Sequence, residues 1–413
     1  MHAFTLIFLA VTLSALALQL WLNHRHLKHV AQHRAEVPKA FADKITLEQH
    51  QKAADYTEAK AKLNRMDLIL ETVLLLAFTL GGGVQALYEF SAAYVSQPVL
   101  QGVLLIVSFS LLSSLIGLPL SWYRTFHLEQ RFGFNTQTAK LFWIDLLKKT
   151  ALGLVLEAPM IALVLWLFGA MGTYWWLWAW GALMALQLVL FALYPTWIAP
   201  LFNKFTPLND ESLQERINQL LDRAGFKASG VFAMDGSTRS RHGNAYFTGF
   251  GRNKRIVFFD TLLENLSPAE IEAVLAHELG HFHHGHVKKR LVMMAVLSLG
   301  GLWLLGVLAT APWFFSGLGV SAQTPALALL LFMLTLPVFL TPISPLFNLL
   351  SRKDEFEADR FAAKQSNAMD LVNALVKLYQ DNAATLTPDP LYSGFYDSHP
   401  PAPIRIAALE SQL

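Results

Sequence analysis

A chain with repeated apolar runs of about 20 residues has few folds open to it, because a helix of that length spans the hydrocarbon of a bilayer. Seven such runs, complete or nearly so, lie at 3–22, 66–88, 99–120, 151–170, 174–193, 291–311 and 325–349. Inside a membrane each backbone donor and acceptor must be paired within its own segment, so the runs predict helices and a mainly α integral membrane protein. Composition agrees: 54% of the residues are hydrophobic and only 15% charged, against about a quarter charged in a soluble domain. The last run holds Pro337, Pro342 and Pro345 and is expected to kink or end early. Basic residues follow the first run (Arg25, Lys28, Arg34) and do not precede it. That predicts a retained anchor, although Ala15-Leu16-Ala17 resembles a cleavage site.

Charge places the loops. Loop 23–65 carries nine Lys and Arg and loop 121–150 carries five, whereas 89–98, 171–173 and 312–324 carry none. All basic loops share one side if the amino terminus is outside and the carboxyl terminus cytoplasmic. Glu71 and Glu157 fall inside runs and should face a chamber or a polar partner, because lipid solvates charge poorly. The aromatic run Tyr174, Trp175, Trp176, Trp178 and Trp180 reads as a belt at the outer interface.

Between the fifth and sixth runs lies a segment that reads as a folded soluble unit. Asp210 caps a helix of about 211–224, and three strands are expected at 229–234, 244–250 and 255–260. Ser267-Pro268-Ala269-Glu270 then has the form of a capping box, opening a helix that runs to about residue 284. On that helix stands His277-Glu278-Leu279-Gly280-His281. Residues four apart share a face, so His277 and His281 can ligate one Zn²⁺, while Glu278 can take a proton from water activated by the metal.

The chain has no cysteine, so a third ligand must be another His or a carboxylate. The pattern that would supply a third His requires Gly at 284 and His at 287, and the chain has His284 and Val287. His283, His284 and His286 read mainly as a solvated or membrane-interface surface, with a ligand or proton-relay role as the lesser alternative. Downstream, Glu355 and Asp359 are four apart on a predicted helix. Glu355 can ligate while Asp359 accepts a hydrogen bond from a ligand imidazole. Spacing alone leaves open whether Glu355 is a ligand or part of an ordinary acidic helix start. Glu357 points to another side and reads as solvated.

Six separated motifs, in order, make the chain resemble the type I CAAX prenyl proteases from about residue 60 onward. They are Phe132-Gly133-Phe134-Asn135, the stretch Pro200 to Leu208, Asn244-Ala245-Tyr246-Phe247, the His277 to His281 motif, Glu355-Phe356-Glu357-Ala358-Asp359, and Ser398-His399-Pro400-Pro401. The resemblance implies seven spans around an enclosed chamber, with a gluzincin-like α+β peptidase unit on the cytoplasmic side. It implies that Glu355 is the third ligand of one Zn²⁺ per chain and that Asn244 and His399 act near the metal. Tyr246 joins Asn244 as a substrate contact, and Arg405 either braces the acidic helix or binds a substrate carboxylate.

The expected organisation is 1–193 for spans one to five, 194–290 for the peptidase segment, 291–349 for the last two spans and 350–413 for a cytoplasmic tail. Expected partners are peptide or protein substrates, prenylated or not, and membrane lipid. A formal net charge of +2 speaks against nucleic acid. The compact chain points to a bacterial member in the inner membrane; in a eukaryote the membrane is that of the endoplasmic reticulum. Two other readings stand beside this one. A membrane quality-control metalloprotease of the HtpX type shares the motifs but is shorter, and a seven-span receptor or transporter would carry the zinc motif by chance.

Overall fold

The computed structural model describes residues 2–249 and 254–411. The first half is helical: α1 (Ala3–Gln32), α2 (Leu47–Phe78), α3 (Gly83–Tyr94), α4 (Pro98–Tyr123), α5 (Ala139–Ala170) and α6 (Trp175–Leu193). Then come β1 (Phe205–Pro207), α7 (Glu211–Ala224), β2 (Val231–Met234), β3 (Ala245–Thr248), β4 (Arg255–Phe259), α8 (Asp260–Asn265) and α9 (Pro268–His283). The chain re-enters the helical layer with α10 (His286–Leu308), α11 (Pro312–Gly317) and α12 (Pro325–Leu340). It finishes with α13 (Ser344–Gln365), α14 (Ala368–Asp381), α15 (Pro390–Tyr396) and α16 (Ala402–Glu410).

Among the described residues six helices are long and apolar enough to cross a membrane, and seven if the bent pair α2–α3 is one span. The expected spans are therefore present, but the segment 23–65 is not a loop. Helix α1 runs on to Gln32, and α2 begins at Leu47 behind a Thr46–Gln49 capping box. Its 32 residues reach about 48 Å at 1.5 Å each, well beyond the bilayer core. Ala, Lys and Glu fill its polar half, and those residues favour helix whatever surrounds them. The seventh span breaks as expected. Helix α12 ends at Leu340, a 3₁₀ turn covers Thr341–Ile343, and α13 starts at Ser344.

The two acidic groups in the spans differ in their surroundings. Ser110 Oγ donates to Glu157 Oε1 at 2.7 Å between α4 and α5. Glu71 lines a cavity of about 360 Å³ with Thr12, Phe109 and Met333, between α1, α2, α4 and α12. The aromatic run divides: Tyr174 and Trp178 are exposed, whereas Trp175 is buried. Trp180 donates its Nε1–H to Ala295 O on α10 at 2.9 Å. Its indole serves helix packing, because the N–H needs an acceptor that lipid cannot provide.

The soluble unit is a four-stranded sheet, order β1-β2-β4-β3, with β2 and β4 parallel and the outer pairs antiparallel. Strand β1 lies at the motif after the fifth span, and its three residues ending in Pro207 gave no alternation to mark it. The other strands are shorter than expected; Phe250 lies outside the described residues. Central β4 is apolar because it is covered, with Ile256, Val257 and Phe258 all buried. The sheet, α7, α9, α14 and α16 share one apolar core through Ile217, Phe258, Leu279, Val372 and Ile406. Ion pairs tie this unit to the membrane helices. Arg239 grips buried Asp145 of α5 at 2.7 and 2.9 Å, and Arg25 of α1 binds Asp389 at 2.9 Å.

The 55° bend between α2 and α3 nests against the loop before α12. Gly319 has φ +80°, and a Cβ there would lie 2.7 Å from Thr79 O. Strain and overlap act together, so Gly319→Val should cost about 1–3 kcal/mol or more. A lower melting temperature of the purified protein in detergent is the expected result, and an unchanged one would show that the bend is compliant.

Candidate metal centre

Helix α9 is fixed before any ligand is considered. Ser267 N donates to Glu270 Oε2 at 2.7 Å, and Glu270 N donates back to Ser267 Oγ at 3.4 Å. Lys377 Nζ meets the same Glu270 oxygen at 2.7 Å. Buried Glu272 is clamped by Arg216 and Arg223, both from α7. Against this helix lies α13, at the distance Gly280 permits: a Cβ on Gly280 would stand 2.8 Å from Ala358 Cα. The close approach carries Glu355, one turn before Ala358, to the histidine face of α9.

His277, His281 and Glu355 converge. Nε2 of His277 and Nε2 of His281 are 3.3 Å apart. Glu355 Oε2 is 3.4 Å from His277 Nε2, and Oε1 is 3.3 Å from His281 Nε2. Taking one ligand atom from each residue, the three lie within 4.8 Å of one another, close enough to share one ion whose ligands stand about 2.0–2.1 Å from it. Glu355 is 2% exposed, and its Oε2 meets His399 Nδ1 at 2.8 Å and Arg405 Nη1 at 3.6 Å. A buried carboxylate and two imidazoles turned toward one another are a donor set suited to a shared cation. The residues present fit zinc.

Behind the triangle the first histidine is anchored. His277 Nδ1 lies 2.9 Å from Asp359 Oδ1. Burial alone would lower its pKa, but hydrogen bonds to Asp359 and Glu355 outweigh it and raise the value to about 9. Metal loading must therefore displace a proton. Asp359 is held in turn by Arg405, through Nη2 to Oδ1 at 2.6 Å and Nε to Oδ2 at 2.8 Å. Arg405 is itself buried. Its guanidinium is committed to the ligand helix, so the geometry supplies the brace and not the substrate contact.

Glu278 is only partly buried and lines a cavity of about 460 Å³ with His281, Glu355 and His399. Burial holds its carboxyl above the ordinary value, against the pull of His277 and His281. A second cavity of about 860 Å³ contains Asn244, Tyr379, Tyr396 and His399, and the two share Ser398 and His399. Asn244 is exposed ahead of β3, and its Oδ1 accepts from Ala245 N at 2.8 Å. Tyr246 lies across the sheet, its hydroxyl 3.9 Å from Met234 Sδ. Burial, with Tyr194 nearby, pushes that phenol up to about 12. Tyr246 is absent from both cavity walls. β3 pairs with β4 alone among the described strands and so presents an edge.

Two readings change. His283 and His284 are exposed as expected, but His286 is buried and lies 2.9 Å from His281, Nδ1 to Nδ1. Glu357 is not solvated alone but meets His286 at 3.1 Å and Lys289 at 3.8 Å. Neither contact follows from spacing on one helix, because α9 and α10 turn at Gly285. The signal available was a histidine five positions beyond His281. Also unforeseen is a cluster in the larger cavity wall: His242 Nδ1 is 2.8 Å from Asn382 Oδ1, and Tyr56 donates to Glu129 at 2.7 Å.

A ligand triangle of this size, opening on a cavity that also holds a free carboxyl, is the equipment of a metallopeptidase, and here it hangs from membrane helices. Comparison with known proteins agrees. Residues 26–204 match the CAAX prenyl protease N-terminal region, described as five membrane helices, and 207–413 match peptidase family M48. A CAAX prenyl protease 1 homolog of Oryza sativa subsp. japonica is 35% identical, the match covering 92% of each chain. CAAX prenyl protease 1 of Saccharomyces cerevisiae is 31% identical over 98% of this chain and 95% of that one. The crystal structure of S. mikatae Ste24p superposes with a TM-score of 0.91 at 32% identity, covering 99% of this chain and 100% of the other. The chain belongs to peptidase family M48, as a multi-pass membrane metallopeptidase that cuts peptides or proteins. The match to the five-helix amino-terminal half disfavours the HtpX-type reading, and the family disposes of the receptor.

Widening Gly280 should separate α13 from α9. Gly280→Val is expected to destabilise the protein by about 1–3 kcal/mol and to lower its bound metal, read by melting temperature and elemental analysis. Full metal content would show that Glu355 reaches the histidines without this contact.

Proposed function

We propose that one Zn²⁺ per chain is held by His277, His281 and Glu355, and that Glu278 is the general base of peptide hydrolysis. The observation that carries this is the convergence of His277, His281 and Glu355, one ligand atom each within 4.8 Å, beside the cavity containing Glu278. When bound, the ion supplies Lewis acidity, polarising a peptide carbonyl and acidifying water. Glu278 takes the proton of the attacking water and delivers it to the leaving nitrogen, a task suited by its raised pKa. Asn244 and His399 donate to the carbonyl oxygen as charge develops there. An extended peptide pairs with the free edge of β3, which gives main-chain hydrogen bonds without demanding a side-chain sequence. Asp359 fixes the orientation of the His277 ring, with Arg405 behind it.

The substrates we infer are carboxyl-terminal segments of prenylated CAAX-type proteins. Support comes from the names of the relatives and from the volume available, about 860 Å³ beside the metal centre. A lipid chain gains about 0.8 kcal/mol per buried methylene. Glu278→Gln should keep zinc and lose about 10²–10⁴-fold in turnover, whereas Glu355→Ala should lose the metal too. Wild-type turnover in the Gln variant would remove Glu278 as base, and stoichiometric zinc in the Ala variant would remove Glu355 as ligand.

We also propose that the amino terminus is outside and the metal centre faces the cytoplasm, in line with the nine and five basic residues of segments 23–65 and 121–150. The chain lacks cysteine, so single cysteines can be introduced freely. Impermeant thiol reagents should label Ala92→Cys and Ser321→Cys from outside, and Glu36→Cys and Lys364→Cys only after permeabilisation. External labelling at 364 would invert the orientation.

A further inference from the structure

The second histidine of the triangle has a support of its own. His286 opens α10 and is 2% exposed. Its Nδ1 lies 2.9 Å from His281 Nδ1. Its Nε2 lies 3.1 Å from Glu357 Oε2 and 3.3 Å from Asp354 Oδ1. Lys289 Nζ stands 3.8 and 4.0 Å from the same two carboxylates.

Proton positions follow from these contacts. An imidazole that turns its Nε2 lone pair to a metal carries its proton on Nδ1. The Nδ1–H of His281 then donates to Nδ1 of His286, which must accept. His286 is thereby left with its proton on Nε2, directed at Glu357. Each link has one donor and one acceptor, and no proton is missing or surplus. The arrangement parallels the opposite side, where His277 donates to Asp359, but inserts an imidazole between ligand and carboxylate.

We propose that His286 is a positioning residue, which holds the His281 ring for the metal through the chain Glu357–His286–His281. This rests on the reading of His281 as a ligand. The competing use of the cluster is a second cation site, since ligand atoms of His286, Asp354 and Glu357 lie within 4.8 Å of one another. The Lys289 ammonium beside both carboxylates already supplies positive charge there. The Nε2 proton forced on His286 also removes the lone pair that a second ion would need.

The test uses the full-length protein, purified in detergent, with zinc and with cobalt in its place. Loss of a group that orients a ligand typically costs about 10–100-fold in metal affinity. His286→Ala should release zinc to a chelator about 10–100 times faster and shift the visible absorption of the cobalt form. His286→Asn, whose amide oxygen can accept where Nδ1 did, should recover most of the release rate. Glu357→Gln should change both readouts in the direction of His286→Ala, by less. Wild-type release and spectrum in His286→Ala would overturn the proposal whatever the melting temperature. If that variant does not fold, wild-type release and spectrum in Glu357→Gln would do so. Two zinc ions per wild-type chain, falling to one in Glu357→Gln, would overturn it in favour of a second metal site. His281→Ala separates the layers: stoichiometric zinc there refutes the ligand assignment itself, whereas loss of zinc there with an unaffected His286→Ala refutes the relay alone.

Discussion

The contact of α9 with α13 at Gly280 and Ala358 is the constraint on which the rest depends. Two of the proposed ligand atoms come from one helix, and their separation is set by helical geometry alone. The third comes from a helix 74 residues later in the chain, and nothing local places it. A carboxylate that must stay 3.3–3.4 Å from both imidazoles tolerates little sliding, so the helix–helix distance is the variable that matters. That distance is set from both ends. Helix α10 follows α9 after a two-residue turn, and α13 continues the seventh span, so packing within the membrane orients both helices. The capping box, Lys377 and the Arg216–Glu272–Arg223 clamp hold the soluble end. Rigid elements at each side position the site better than loops could.

Charge explains why so many ionisable groups can be gathered here. Glu355 and Asp359 are buried with Arg405, which leaves one negative charge in excess, and an ionised Glu278 makes two. One divalent ion matches that excess. Each carboxylate then has a cation or donor of its own, the condition under which burial of charge becomes tolerable. The cluster around His286 repeats the logic on a smaller scale, with Lys289 shared between Asp354 and Glu357.

What could be read from the sequence was what is periodic or local. Seven spans follow from runs of apolar residues, and the bounds of α9 from its cap, because both depend on neighbours in sequence. The pairing of His277 with His281 is equally local. Glu355 was legible only as an acidic residue sharing a face with Asp359, and its meeting with α9 needed either the structure or the family motifs. His286 and Glu357 were misread as solvated because their contacts cross from one helix to another. For Arg405 the sequence offers a brace or a substrate contact, and the choice between them needs its partner Asp359, which lies 46 residues away. Segment 23–65 was read as a loop because its basic residues mark a side of the membrane, and side says nothing about helicity. Strand β1 escaped because three residues carry no period.

Placement of the site at the ends of spans, rather than on a free domain, selects what can be cut. A peptide bond can be attacked only if its backbone reaches the triangle, and the approach runs past Ser398 and His399, where the two cavities meet. An extended chain can enter there and satisfy its main-chain groups on the edge of β3. A folded protein has already paired those groups and would need to lose several hydrogen bonds, each worth about 0.5–1.5 kcal/mol net, before presenting a strand. The same architecture that brings the three residues together therefore favours loosely structured peptide over the interiors of stable folds.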